Sequence, residues 1–514
     1  MRKVIRAFSI TCAGAVLFAF APQQVAPVDL EMVARIREEG FQRSQVMDLA
    51  GYISDVLGAR LTLSEDMKAA QIWAREKMGE IGLVNISVEP FMDYGVTWDN
   101  EYFSLHMLEP DYQPLVGFPL AHTPGTRGKI TGSAVIAEIN TRQDLDAFRG
   151  RLAGTVVLTT PPAVIDLERL ARATPRRTPE ELKQMEEDVI PPHRGRGNPA
   201  PRNPDLLSAE EKVAFYRAEG VLALLECRSG WPGAVRGFSR PGIRQDNWSR
   251  EGNLNSLPII AVTPEHYNRM YRICERGIPV TVELEVRNRI GDQVEQACNV
   301  LGEIPGTDLR DEVVMIGAHF DTWHASPNSS DNTSGCAVAL EAARILNAVG
   351  ARPRRTIRVA LWAGEEQGLH GSREYVYRHF GNPNDPEIGI KPGYDDFSVY
   401  FNQDYGAGAF RGIYLQGNEY VRGIFRAWME PLMDLGFTAI SIQSVGSTDH
   451  VPFNAVGLPG FQFIQDRIPG TGGHTNLDFF DTLQGDDLMK NAVIMAVFAY
   501  HAAMSDERIP RKRD

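Results

Sequence analysis

The chain has 514 residues, 43% of them apolar, and carries 66 Asp and Glu against 53 Lys and Arg for a formal net charge of −13. That length exceeds one compact core and accommodates about two to four domains. The acidic balance lacks the basic footprint that nucleic-acid binding needs.

The first 21 residues start with Arg2, Lys3 and Arg6 and continue as an apolar run to about Ala21. This layout predicts a secretory signal peptide, with Ala19-Phe20-Ala21 as the small-x-small cleavage site, although Pro22 directly after it is unfavourable. The run is short for a span of roughly 20 residues and is broken by Ser9, Thr11 and Gly14, so no stable membrane span is expected in the mature chain. Cys227, Cys274, Cys298 and Cys336 are widely scattered and form no CxxC pattern, which is neither a disulfide framework nor a cysteine metal site.

From Val28 to about Gly82 the pattern reads as two or three helices, the last of them SEDMKAAQIWAREKMGEIG with Ser64 as its cap. VNISVEPF then predicts a strand. Between about Pro114 and Glu283 the short apolar runs LAGTVVLTT, GVLALLEC and LPIIAVTP are strand-like. KVAFYRAE and EHYNRMYRICERG read as helices, and no run ends in a set of metal-binding side chains. Within this region TPEELKQMEED predicts one capped helix. The stretch from Ile190 to Pro204, rich in proline and charge, predicts a mobile surface loop.

The pattern changes near Val286, and Val313 to Glu366 follows as the most informative stretch. Two apolar runs, VVMIGA and IRVALWA, each end in potential metal ligands, and Val338, Ala342, Ile345, Leu346 and Val349 recur between them at helical spacing. The unit is strand, helix, strand, and open α/β sheets carry their chemistry at the carboxyl ends of such strands. His319, Asp321, Glu365 and Glu366 fall there. Imidazole nitrogens and carboxylate oxygens are zinc donors, and Asp331, in SSDNTSG before the helix, is placed to bridge two ions. Asp321 is expected to accept the second imidazole N–H of His319. Adjacent glutamates on a strand end cannot both face one point, which suggests one ligand and one general base.

The order His319-x-Asp321, Asp331, Glu365-Glu366, Asp404 in FNQDYG and His474 in GTGGHTNLDFF resembles the dizinc exopeptidases that include bacterial leucyl aminopeptidase and carboxypeptidase Q. A neighbouring dizinc family of the succinyl-diaminopimelate desuccinylase type also has HxD and EE. Its bridging Asp lies much further from HxD, and its extra domain follows the glutamate pair.

The resemblance implies two zinc ions, His319 and Asp404 on one, Glu366 and His474 on the other, Asp331 bridging, and Glu365 as general base. It implies an α/β fold, a three-layer α/β/α domain with a mixed, mostly parallel central sheet. Residues 28–113 and 286–505 would form that domain, and 114–285 an inserted smaller protease-associated domain. The expected activity is exported hydrolysis of a terminal peptide bond on a peptide or dipeptide substrate. An aminopeptidase is the first reading and a carboxypeptidase Q-like dipeptidase the alternative. Receptor-like ectodomains and one-zinc glutaminyl cyclases use related folds, but the full set of five ligands and a Glu base argues against both. Asp449 and His450 in STDHVPF are expected beside the substrate pocket, and His324, His370, His379 and His501 are expected to be structural or exposed.

Overall fold

The structure is a computed structural model and describes residues 27–166, 168, 176–190, 203–240, 248–404, 406–468 and 473–513. The leader expected over 1–21 lies outside the described residues, as does most of the loop expected over 190–204. No helix among the described residues is long and apolar enough to cross a membrane.

Two eight-stranded sheets organise the chain. The first is mixed. Its central strand, Leu309–His319, is parallel to Arg355–Trp362 on one side and to Phe397–Asn402 on the other. Gly460–Gln465 extends it in parallel beyond Phe397–Asn402, and Glu295–Ile304 pairs antiparallel with Arg355–Trp362. The VNISVEPF run is the start of strand Val84–Gly95, which lies antiparallel against Glu295–Ile304.

The strand period of two sorts the apolar side chains between two layers. Val314, Ile316 and Ala318 join a large core with helices Ser334–Ala348 and Gly485–Met504, whereas Val313 and Met315 point the other way. On that second face they pack with Tyr375, Val376 and Phe453 from helices His370–His379 and Val451–Ala455. Strands covered on both faces read as continuous apolar runs, which is why VVMIGA and IRVALWA show no alternation.

The N-terminal region forms helices Leu30–Gln42, Val46–Gly51 and Glu65–Glu80, with the Ser64 hydroxyl accepting from the Met67 amide at 3.1 Å. Thr178 caps Pro179–Glu186 in a capping box. Helix Arg422–Met429 gives way to a tighter turn over Glu430–Leu435 at Pro431, which has no N–H to continue the ladder.

The second sheet has its own core. Ile130–Ile136, Thr155–Leu158, Ala223–Glu226 and Ile259–Val262 run parallel, flanked by helices Ala209–Ala218 and Pro264–Glu275. Its limits are wider than 114–285. Trp98–Glu109, expected with the N-terminal unit, pairs along its length with Thr281–Ile290 and belongs to this second sheet. The two strands lie far apart in sequence, so local pattern alone could not assign them to one another. The four described cysteines are free.

Gly317 sits at the centre of the first sheet, where an added Cβ would lie 2.2 Å from the Ala360 carbonyl oxygen. Backbone cannot yield there as a flexible side chain would. Gly317→Ala is expected to destabilise the protein by about 1–3 kcal/mol, read as a lower denaturant midpoint at unchanged slope.

Candidate metal centre

The parallel strands deliver the ligand-bearing residues to one edge. His319 ends the central strand, Asp404 follows Phe397–Asn402 by two residues, and Glu365 and Glu366 lie in the turn just after Trp362. Asp331 precedes helix Ser334–Ala348, and His474 comes from the loop beyond Gly460–Gln465. These six line one cleft or its floor, a cavity of about 710 Å³ bounded by Asp331, Glu365, Glu366, Asp404 and His474 with His319 buried beneath at 1% exposure.

Within it the donors form two groups, His319 with Glu365 and Asp404, and Asp331 with Glu366 and His474. Asp331 spans them. Its Oδ1 lies 3.2 Å from His319 Nε2, and its Oδ2 lies 3.0 Å from His474 Nε2. Asp404 Oδ1 is 3.3 Å from His319 Nε2, and Glu366 Oε2 is 2.9 Å from His474 Nε2. Donor atoms on a tetrahedral zinc with bonds near 2.0 Å stand about 3.3 Å apart, so these separations suit the ion.

The electrostatics point the same way. Burial pushes Glu366 up to about 7, with Asp331 adding to the rise and His474 opposing it. Burial also drives Glu365 well above the usual carboxylate range, although His319 draws it down. Asp331 moves oppositely. Burial would raise it, but the two histidines, His474 foremost, hold it far below. Burial would lower His319, yet Asp404, Glu365 and Asp331 raise it. Glu366 Oε1 is buried with no hydrogen-bond partner. An orphaned carboxylate oxygen in a nest of carboxylates fits a cation, and the His and carboxylate donors fit zinc.

The contact expected from Asp321 is different in the structure. His319 Nδ1–H donates to the Asp321 backbone carbonyl at 2.9 Å, while the carboxylate Oδ1 lies 3.9 Å away. The carboxylate instead accepts the Glu365 and Glu366 amides at 3.2 and 3.3 Å and the Thr62 hydroxyl at 3.2 Å. The chain folds back after His319, which brings the carbonyl under the imidazole and turns the side chain toward the glutamate turn. The tautomer is still fixed, and Nε2 is left to face the cleft.

Asp449 and His450 do not line the cleft. Both are fully buried behind it, where burial raises Asp449 to about 8 and lowers His450 to about 4. The short helix Val451–Ala455 that follows them packs under the sheet through Phe453, which withdraws both side chains from solvent.

Three supports escaped the sequence reading. Asp478 accepts the Ser330 amide and hydroxyl at 2.9 and 2.8 Å and so holds the loop bearing Asp331. Asn328 accepts the His474 amide at 3.1 Å and donates to two carbonyls of the same loop. Gly473 lies against Asp331, where a Cβ would fall 2.2 Å from Oδ2. Only the asparagine and glycine richness around these positions hinted at special backbone geometry.

Because the Asp321 carboxylate faces two backbone amides, an amide side chain would turn a donor toward one of them. Asp321→Asn is expected to weaken zinc affinity by about 10- to 100-fold in a chelator-buffered titration while leaving far-ultraviolet dichroism unchanged.

Residues 299–499 match the model of Peptidase family M28. The chain is 22% identical over 490 residues to carboxypeptidase Q of Mus musculus, covering 95% of this chain and 90% of that protein. In fold it is similar to a Peptidase M28 precursor from Shewanella amazonensis SB2B, with a TM-score of 0.66 at 22% identity over 94% of this chain and 98% of the other. A zinc aminopeptidase from Bacillus subtilis gives a TM-score of 0.56 at 18% identity, covering 90% and 95%. Residues 299–499 thus match Peptidase family M28, and the chain is similar to carboxypeptidase Q and, in fold, to a bacterial zinc aminopeptidase.

Proposed function

We propose that the protein is an exported zinc exopeptidase that removes the N-terminal residue of a peptide, using two ions held by His319, Asp404, Glu366 and His474 with Asp331 between them. The observation that carries this reading is Asp331, whose two oxygens each meet a different histidine. A carboxylate used by one ion alone would have no reason to divide itself so. With Asp331 shared, His319 and Asp404 complete one donor set and Glu366 and His474 the other. Glu365 is then left over on the cleft wall.

Zinc at such a centre supplies Lewis acidity to the scissile carbonyl and acidifies water toward neutrality. Glu365 is placed to take the proton of the attacking water and return it to the amine that leaves. His319, fixed as the tautomer with Nδ1–H on a carbonyl, keeps a lone pair toward the cleft. The Asp321 carboxylate fixes the backbone of both glutamates, so donor and base keep their separation while charge moves. Presence of all six groups in one cleft supports hydrolysis over a binding ectodomain. The basic start and apolar run of residues 1–21 support export.

Glu365→Gln is expected to retain its metal and to lose about 10²- to 10⁴-fold in kcat, with metal content measured on the same sample. Near-normal turnover would remove Glu365 from the role of base. Asp404→Ala is expected to bind one metal equivalent fewer, and an unchanged stoichiometry would overturn the ligand assignment.

A further inference from the structure

Two arginines line the cleft, Arg467 and Arg236, and Arg236 is the one fixed against the His474 loop. Arg236 comes from the second sheet's half of the molecule, in the stretch between Ala223–Glu226 and Arg250–Leu254, and lines the same cavity as Asp331, Glu366 and His474. Its backbone is fixed there. The Val235 amide donates to Asn476 Oδ1 at 2.6 Å, the Gly237 amide to the His474 carbonyl at 3.0 Å, and the Asn476 amide to the Val235 carbonyl at 3.1 Å. Arg236 itself forms an antiparallel bridge with Thr475, the residue after His474.

The guanidinium is laid over the Phe238 ring, 5.5 Å from its centroid, and that ring stands edge-on to the His474 imidazole at 5.2 Å. Two ring contacts therefore separate the cation from a metal-binding histidine. Among the described residues Arg236 is exposed and has no carboxylate partner.

The charge inventory of the cleft gives this arginine a meaning. Among the described residues its carboxylates are Asp331, Glu366 and Asp404, taken by the metal centre in the reading above, and Glu365, taken as the base. Among the described residues no further acidic side chain lines the wall to hold a substrate's ammonium, whereas Arg236 lies on that wall outside the donor groups. A planar guanidinium stacked on an aromatic ring presents its free edge for a paired contact with a carboxylate.

We propose that Arg236 grips the free C-terminal carboxylate of the substrate, so that dipeptides and other very short peptides are preferred over blocked or long ones. This rests on the peptidase reading above and deepens it. Cleavage releases the N-terminal amino acid, and Arg236 holds the leaving fragment by its carboxylate. Arg236 is a specificity-determining residue, distinct from the groups that move protons.

The test compares zinc-loaded wild type, Arg236→Ala and Arg236→Lys on a set of dipeptides, the same dipeptides as C-terminal amides, and aminoacyl-arylamides. The wild type is expected to favour free dipeptides over their amides. Arg236→Ala is expected to raise KM for the free dipeptides about 10- to 100-fold with little change in kcat, to leave the amides and arylamides unaffected, and to be partly rescued by Arg236→Lys. Calorimetric titration with a dipeptide analogue whose scissile amide is reduced to a secondary amine, as free acid and as amide, should show the same loss for the acid alone. Equal effects of Arg236→Ala on acids and amides, or a wild type that does not distinguish them, would overturn the inference while leaving the peptidase reading intact. A fully metal-loaded wild type that cleaves nothing in the panel would overturn both.

Discussion

Four carboxylates gathered in one largely buried cleft are the constraint on which the rest of the molecule depends. Like charges within a few ångströms of each other in a low-dielectric interior repel strongly, and desolvation adds to the cost. Burial is the larger cause of the rise of Glu365 and Glu366, and neighbouring carboxylates add to it against the pull of the two histidines. A site so unfavourable persists only on a frame that holds it rigidly. The central sheet is such a frame: its strands are covered on both faces, and Gly317 brings the Ala360 backbone as close as packing allows.

The loops beyond the strands are held by side chains that hydrogen-bond to backbone. Asp321 accepts from the glutamate turn, Asp478 from the Asp331 loop, and Asn328 ties that loop to His474. Asn328 and His474 both hold positive φ, 49° and 62°. Non-glycine residues stay in that region only where the surroundings over-determine it. The network thus sets the backbone first, and the ligands follow from it. Arg60, buried with its guanidinium on the Phe320 carbonyl and the Thr333 hydroxyl, adds a further tie between the strand end and the helix start.

The second sheet contributes to the centre as well as standing beside it. Val235 to Gly237 pair with His474 to Asn476, and Phe238 packs against His474 together with Trp323. The His474 loop is therefore held between the two halves of the chain. One face of the cleft is built from the sheet that carries the ligands, and part of its rim from the other sheet, which is where Arg236 lies.

The sequence by itself determined the central strand–helix–strand unit and the six side chains around it. Both were legible because apolar runs, helical periodicity and donor residues at strand ends are local features. The N-terminal helices and the cap at Ser64 were legible for the same reason. The tertiary structure alone decided which atoms meet. It set the Asp321 carbonyl, rather than its carboxylate, beneath His319 and placed Asp449 and His450 behind the cleft. It also paired Trp98–Glu109 with a strand that follows far along the chain and carried Arg236 to a loop more than two hundred residues away. A one-residue change of backbone direction decides whether a carbonyl or a side chain faces a ligand, and a long-range pairing depends on the packing of everything between. Neither leaves a mark in local spacing.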